Sequence, residues 1–164
     1  MNSDMNWEAI EAISSAISAV GVIATLVYLA YQIRQNTHSI QGATEQSLMT
    51  LEKDTYSMIA DNAELITRAS SDYQALTPED IVRFENIVGA EMSLVYSAYV
   101  QYKRKLISHE VWEAYERSTL AQFKGFGFLS AWQSIKPNYP TSFIDVIDTL
   151  VLRESNAGKL AASV

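Results

Sequence analysis

The chain contains no cysteine, which excludes disulfides and thiolate metal sites and is neutral as to redox compartment. Histidine is almost as scarce. His38 and His109 are the only two, without a second histidine at i+4 or a glutamate three positions earlier. The His-Glu-x-x-His and Glu-x-x-His spacings that helices use for metals are therefore missing. No Gly-x-Ser-x-Gly elbow or Gly-x-x-x-x-Gly-Lys phosphate loop is present, and Gly125-Phe126-Gly127 is too short and wrongly flanked for dinucleotide binding. Strand-like alternation and Asn-Gly or Asp-Gly hairpin signals are also lacking, which argues against a β or mixed fold. Basic residues are absent before Arg34, whereas Asp4, Glu8 and Glu11 precede it. A cleavable signal peptide, with its positive start and small-residue cleavage site, does not fit.

Charge itself is missing from Ala12 to Ile33, a run of twenty-two residues. As a helix this run spans roughly 33 Å, against a hydrocarbon core of about 30 Å. Trp7 on one side and Tyr28, Tyr31 and Arg34 on the other suit the two lipid–water boundaries. A buried helix of a soluble protein is the competing reading, since Ser14, Ser15, Ser18, Thr25 and Gln32 dilute the apolar content. The boundary aromatics favour a membrane-spanning helix. Arg34 and Lys53 follow it and no basic residue precedes it, so the basic-residue rule places the N-terminus outside and the remainder in the cytoplasm.

Positions 11, 14, 18, 21, 25, 28 and 32 step by three and four and so share one helix face. They hold Glu11, Ser14, Ser18, Gly21, Thr25, Tyr28 and Gln32, while Ile13, Ile17, Val20 and Val27 occupy the opposite face. Small and hydroxylated rows of this kind let membrane helices approach closely. In a single copy Gln32 and its hydroxyl neighbours would face hydrocarbon with few partners, a need that self-association relieves. The expected partners are therefore further copies of the chain, membrane lipids and another membrane protein complex. If several copies surrounded an axis, the same residues would line a cation-favouring pore with Glu11 at its mouth.

After the membrane segment the chain has 12 Lys plus Arg and 16 Asp plus Glu, with no basic stripe suited to nucleic acid. Lys103-Arg104-Lys105 reads as a solvated helix end. Helical spacing continues to about Ala60. Asp61-Asn62-Ala63-Glu64 has the form of a helix N-cap with a reaching Glu, closed by Ser70-Ser71-Asp72. Thr77-Pro78-Glu79-Asp80 is the clearest helix start, opening a segment to about Leu106. Ser108 caps the next helix, Gly125 and Gly127 break the chain, and Pro140-Thr141-Ser142 starts a last helix that Asn156 and Gly158 end.

Carboxylates offer the only chemistry to weigh. Glu110, Glu113 and Glu116 form a wet helix face, and Asp145 with Asp148 does not by itself specify a metal. Glu91 lies on the apolar side of its helix and needs a partner or a shifted pKa; Arg83 and Arg117 are the expected partners. The aromatic set Phe123, Phe126, Phe128 and Trp132 reads as core packing.

The block Val27-Tyr28-Leu29-Ala30-Tyr31-Gln32-Ile33-Arg34-Gln35-Asn36-Thr37, preceded by Trp7-Glu8 and Gly21-Val22, resembles the N-terminal signature of a bacterial group of short single-pass membrane proteins with a helical C-terminal region. Leu76-Thr77-Pro78-Glu79, Trp112, Trp132 and the Phe143–Leu150 segment extend that resemblance. It implies a bacterial inner-membrane location and transfers no catalytic residue. The expectation is an all-α protein with a flank over 1–11, a transmembrane helix over 12–33, a helical extension over 34–60 and a cytoplasmic helical bundle over 61–164. The expected role is a non-enzymatic scaffold or accessory subunit without a cofactor, the alternative being a small homo-oligomeric cation channel.

Overall fold

Apolar residues at three- and four-residue spacing, with few internal breakers, dictate helix after helix. The structure, a computed structural model, describes residues 7–123 and 125–161, with side chains through Arg153 apart from those of Ala9, Lys124 and Phe126. Most of the expected N-terminal flank, residues 1–6 with Asp4, lies outside the described residues, as does the Phe126 side chain. The architecture is all-α: a long N-terminal apolar helix, α1 (Trp7–Asp61), is followed by packed helices. These are α2 (Ala63–Ser71), α3 (Pro78–Lys103), α4 (His109–Phe123), α5 (Phe126–Ile135) and α6 (Thr141–Ala161). Contacts divide the chain into two units, residues 1–42 and residues 43–164.

In the first unit every described side chain from Ile10 to Ile40 is exposed. An apolar helix surface left uncovered on all sides is what a lipid-solvated segment presents. By length and composition α1 is the one helix among the described residues able to cross a membrane.

The second unit builds a closed core. α3 packs on α4 and α5, α5 on α2, and α4 on α6. Phe84, Val88 and Met92 of α3, Trp132 of α5 and Phe143 and Ile147 of α6 are fully buried. Residues 43–61 of α1 join this core through Leu48, with Met58 and Ile59 half-buried beside it. Rings interlock edge to face: Phe84 with Phe128 at 5.6 Å, and Trp132 with Phe143 at 6.2 Å. Phe123 contacts both Phe128 and Trp132, so these three rings are core.

Local signals set most of the helix ends. The Thr77 hydroxyl accepts from the Asp80 N–H at 3.2 Å, and Ser108 Oγ accepts from the Val111 N–H at 3.2 Å. Asp72 closes α2 and then accepts from the Gln74 and Ala75 N–H groups. Asn62 departs from expectation. Its side chain donates to the Met58 carbonyl at 2.8 Å and makes no cap bond to α2. The next helix does begin here, with Asn62 at its cap position and its carbonyl accepting from the Ile66 N–H at 3.0 Å, but the Asn62 side chain turns back onto α1 and Glu64 reaches Arg68. α3 ends at Lys103, before Leu106, because Lys105 takes a positive φ of 60°. The Leu106 N–H then bonds Gln101 and the Lys105 N–H bonds Tyr102, both at 2.9 Å, which satisfies the last carbonyls of the helix. α6 runs on through Asn156 and Gly158 to Ala161, past its expected stop.

Gly127 is fixed by proximity rather than by turn geometry. A Cβ there would lie 2.8 Å from the Ala69 carbonyl carbon of α2, so a bare backbone is what lets α5 and α2 touch. Gly89, inside α3, has only the tip of Ile135 at 4.0 Å. Gly127→Ala should therefore cost about 1–3 kcal/mol by overpacking. Gly89→Ala should gain about 0.5–1 kcal/mol from its better helix propensity. Urea unfolding of the two variants followed by circular dichroism checks the opposite signs.

Candidate functional site

Two places concentrate polar groups against apolar surroundings. The first is the stripe on α1. Glu11, Ser14, Ser18, Gly21, Thr25, Tyr28 and Gln32 are all exposed, as are Trp7, Tyr31 and Arg34. Within the stripe Ser18 Oγ donates to the Ser14 carbonyl and Thr25 Oγ1 to the Gly21 carbonyl, each at 2.8 Å. Gln32 Nε2 donates to the Tyr28 hydroxyl at 2.8 Å. The expected shortage of partners in a single copy is thus met within the helix, since a residue four positions back is always within reach of a short side chain. Around Gly21 nothing lies within 4 Å of a Cβ position, so the face is open at its centre.

The second place lies within residues 43–164. Residues 45–56 of α1 and the facing side of α4 enclose a cleft of about 420 Å3 with an apolar wall of Leu48, Met49 and Val111. Glu52, Tyr56, Tyr115 and Ser118 line this cleft and also line a small inner chamber of about 20 Å3. Glu91, Gln122, Thr55 and Thr119 also line that chamber, with Ile59, Leu94 and Val95 as its apolar part.

Glu91 is 5% exposed. Its Oε1 accepts from Gln122 Nε2, while Oε2 is buried without a hydrogen-bond partner. Neither expected arginine reaches it: Arg117 sits beside Glu113 at 3.9 Å, and Arg83 is exposed. Burial pushes the Glu91 carboxyl up to about 7, and the Gln122 hydrogen bond only partly opposes this. Tyr115 is raised to about 12 by burial, with the Glu52 charge adding to the effect, and Tyr56 moves in the same direction for the same reasons. Glu52 and Tyr56 were not singled out by sequence, although their i,i+4 spacing with apolar Leu48 marks them as one face of α1.

The other carboxylates are committed elsewhere. Asp148 accepts from Trp132 Nε1 at 2.8 Å and from Lys136 Nζ at 3.0 Å, bracing α5 against α6, while Asp145 is exposed. Asp80 takes Arg68 at 2.8 Å, which holds its carboxyl below the usual range and ties α2 to α3. His109 lies between Tyr102 and Glu113, each at 3.3 Å. Among the described residues no three His, Asp or Glu side chains converge as a metal site. No protein-family model, curated protein or solved structure matches the chain, so the functional reading rests on its own residues.

The raised Glu91 pKa has a definite consequence for stability. Unfolded, this carboxyl ionises near 4.5; folded, near 7. The folded state therefore holds the extra proton between those values, and stability falls as pH rises through that window, by about 3 kcal/mol for this group alone. Glu91→Gln removes the ionisation. The variant should be the more stable at pH 8, with an advantage that shrinks toward pH 5. Chemical unfolding at both pH values checks this, and parallel profiles for the two proteins would contradict it.

Proposed function

We propose that the protein is a non-enzymatic, single-pass membrane protein that self-associates through the α1 stripe and serves as a scaffold or accessory subunit at a bacterial inner membrane. The observation that carries this reading is the uniform exposure of an uncharged apolar helix from Ala12 to Ile33. Such a surface needs cover, and acyl chains or sister helices provide it. Tyr31 and Arg34 at its end suit the headgroup boundary, and the following basic residues favour a cytoplasmic C-terminal region. Membership of the bacterial group whose N-terminal signature the chain resembles is part of the same proposal.

The stripe supports association by shape. Ser18 and Thr25 spend their donors on their own backbone, which leaves a smooth, small-residue face centred on Gly21. Helices that meet on such a face gain dispersion contacts from close approach. A pore would use the oxygen lone pairs of these hydroxyls to solvate cations, and donation to the backbone leaves those lone pairs available, so ion flux is what separates the two readings.

Replacing Ser18 and Gly21 together by Leu should shift the protein from oligomer to monomer in detergent by light scattering. An unchanged mass overturns association through this face. Ion flux in liposomes separates the two readings of the stripe. The scaffold reading expects no flux above empty vesicles, and a current lowered by Glu11→Gln would establish the pore instead.

A further inference from the structure

The inner chamber beside Glu91 and the outer cleft differ in size and chemistry, and together they describe a ligand. About 20 Å3 is room for one compact polar group, close to the lower limit for a single water. An ammonium head is of that size, whereas a guanidinium is larger. Glu91 lines the chamber, and its Oε2 is a buried acceptor without a hydrogen-bond partner. Glu52, Tyr56, Tyr115 and Ser118 form the throat because they border both spaces. Beyond the throat the cleft widens to about 420 Å3 along Leu48, Met49 and Val111. Such a surface suits a hydrocarbon stem.

We propose that this cleft binds a primary alkylammonium ion, with its head against Glu91 and Glu52 and its stem along the outer apolar wall. The inference is independent of the membrane reading, because every residue involved lies in the 43–164 unit. Three properties of the site select this class. An anion would meet the Glu52 and Glu91 carboxyls. A neutral alkane would leave Oε2 without a donor. A metal ion lacks a converging ligand set among the described residues.

The titratable groups facing Glu91 are Glu52 and Tyr56 of α1 and Tyr115 of α4. None is cationic, so the ammonium would be the first positive charge in the chamber. Ammonium and proton then compete for the same carboxylate, and binding should weaken as pH falls from 8 to 5.

The test is calorimetric titration of the full chain in an uncharged detergent, using n-butylammonium chloride with n-butanol as the neutral control. The expected result at pH 8 is binding of butylammonium at least tenfold tighter than of butanol. That preference should be lost by pH 5, where exclusive competition by the proton weakens binding about a hundredfold, disappear in Glu91→Gln and weaken severalfold in Glu52→Gln. Ser118→Leu narrows the throat without altering a carboxylate and should also abolish binding, which keeps the test decisive if Glu91→Gln fails to fold. A lysine side chain carries the same head and stem. An Nα-acetyl-lysine amide arm therefore tells a free amine from a protein-borne one by which probe binds tighter. Equal affinity for butylammonium and butanol, or an unchanged preference in both Glu91→Gln and Ser118→Leu, overturns the proposal and leaves a chamber that holds only water.

Discussion

A helix surface that is apolar on nearly every side cannot be at rest in water, and in this chain that surface is the stretch from Ala12 to Ile33. The exposure of Ile13, Ile17, Val20, Ile23 and Leu26 is contiguous, not a scatter of single residues. At roughly 25 cal/mol per Å2 of apolar area, contact with water along such a stretch is a large unfavourable quantity. Oligomerisation alone would cover only one side of each helix. Lipid would cover the whole circumference, and the hydroxyls of Ser18 and Thr25 would tolerate it because each donates to a carbonyl in its own helix. The side chains of α1 change character after Gly42. Thr44, Leu48, Glu52, Thr55 and Ile59 then recur every three or four positions and turn inward or half inward. Continuous hydrophobicity gives way to a one-sided stripe, the pattern of a helix that packs on protein.

The core those residues join is organised around α3, which touches both α4 and α5. Its buried face is apolar and closely packed except at Glu91. An unpaired buried carboxylate is among the more costly groups a fold can hold, and its burial here forces the carboxyl toward its neutral form near neutral pH. Nearby polar groups show the ordinary solution. Thr119, equally buried, donates to the Tyr115 carbonyl at 2.8 Å, and Asp148 is satisfied by both Trp132 and Lys136. Among the described residues Glu91 Oε2 and Gln101 Oε1 are the buried side-chain atoms left without a partner, and Glu91 is the carboxyl of the two. Departures of that type concentrate where a protein binds something.

What the sequence revealed and what it concealed divide along a physical line. Helix starts at Thr77 and Ser108 were legible because a cap is a bond between a side chain and an N–H three positions on. The end at Lys105 was not, since the left-handed turn falls on a lysine where glycine is usual. Asp61-Asn62-Ala63-Glu64 marks the start of α2 correctly, yet the Asn62 side chain donates to the Met58 carbonyl behind it, an equally near partner that the cap pattern does not reveal. Gly125 and Gly127 signalled a break, but the reason for Gly127, the carbonyl of Ala69 pressed against it, depends on two helices far apart in sequence. Glu91 was recognisable as anomalous from its own helix face. Its surroundings come from α1 and α4, so Gln122 in place of an arginine could not be foreseen.

A buried carboxylate has two ways of losing its charge: it can take a proton, or it can take a cation at contact distance. The two compete at the Glu91 carboxyl, because the chamber it lines holds a single small group. Whichever arrives, the electrostatic obstacle to keeping α1 and α4 closed around it is reduced, so occupancy and stability are thermodynamically linked. At acidic pH the proton does this unaided. As pH rises past about 7 the proton leaves and stability falls, and a bound group of opposite charge would offset that loss. Glu52 at the throat favours a cation as that group, and the apolar wall beyond it suits a hydrocarbon tail.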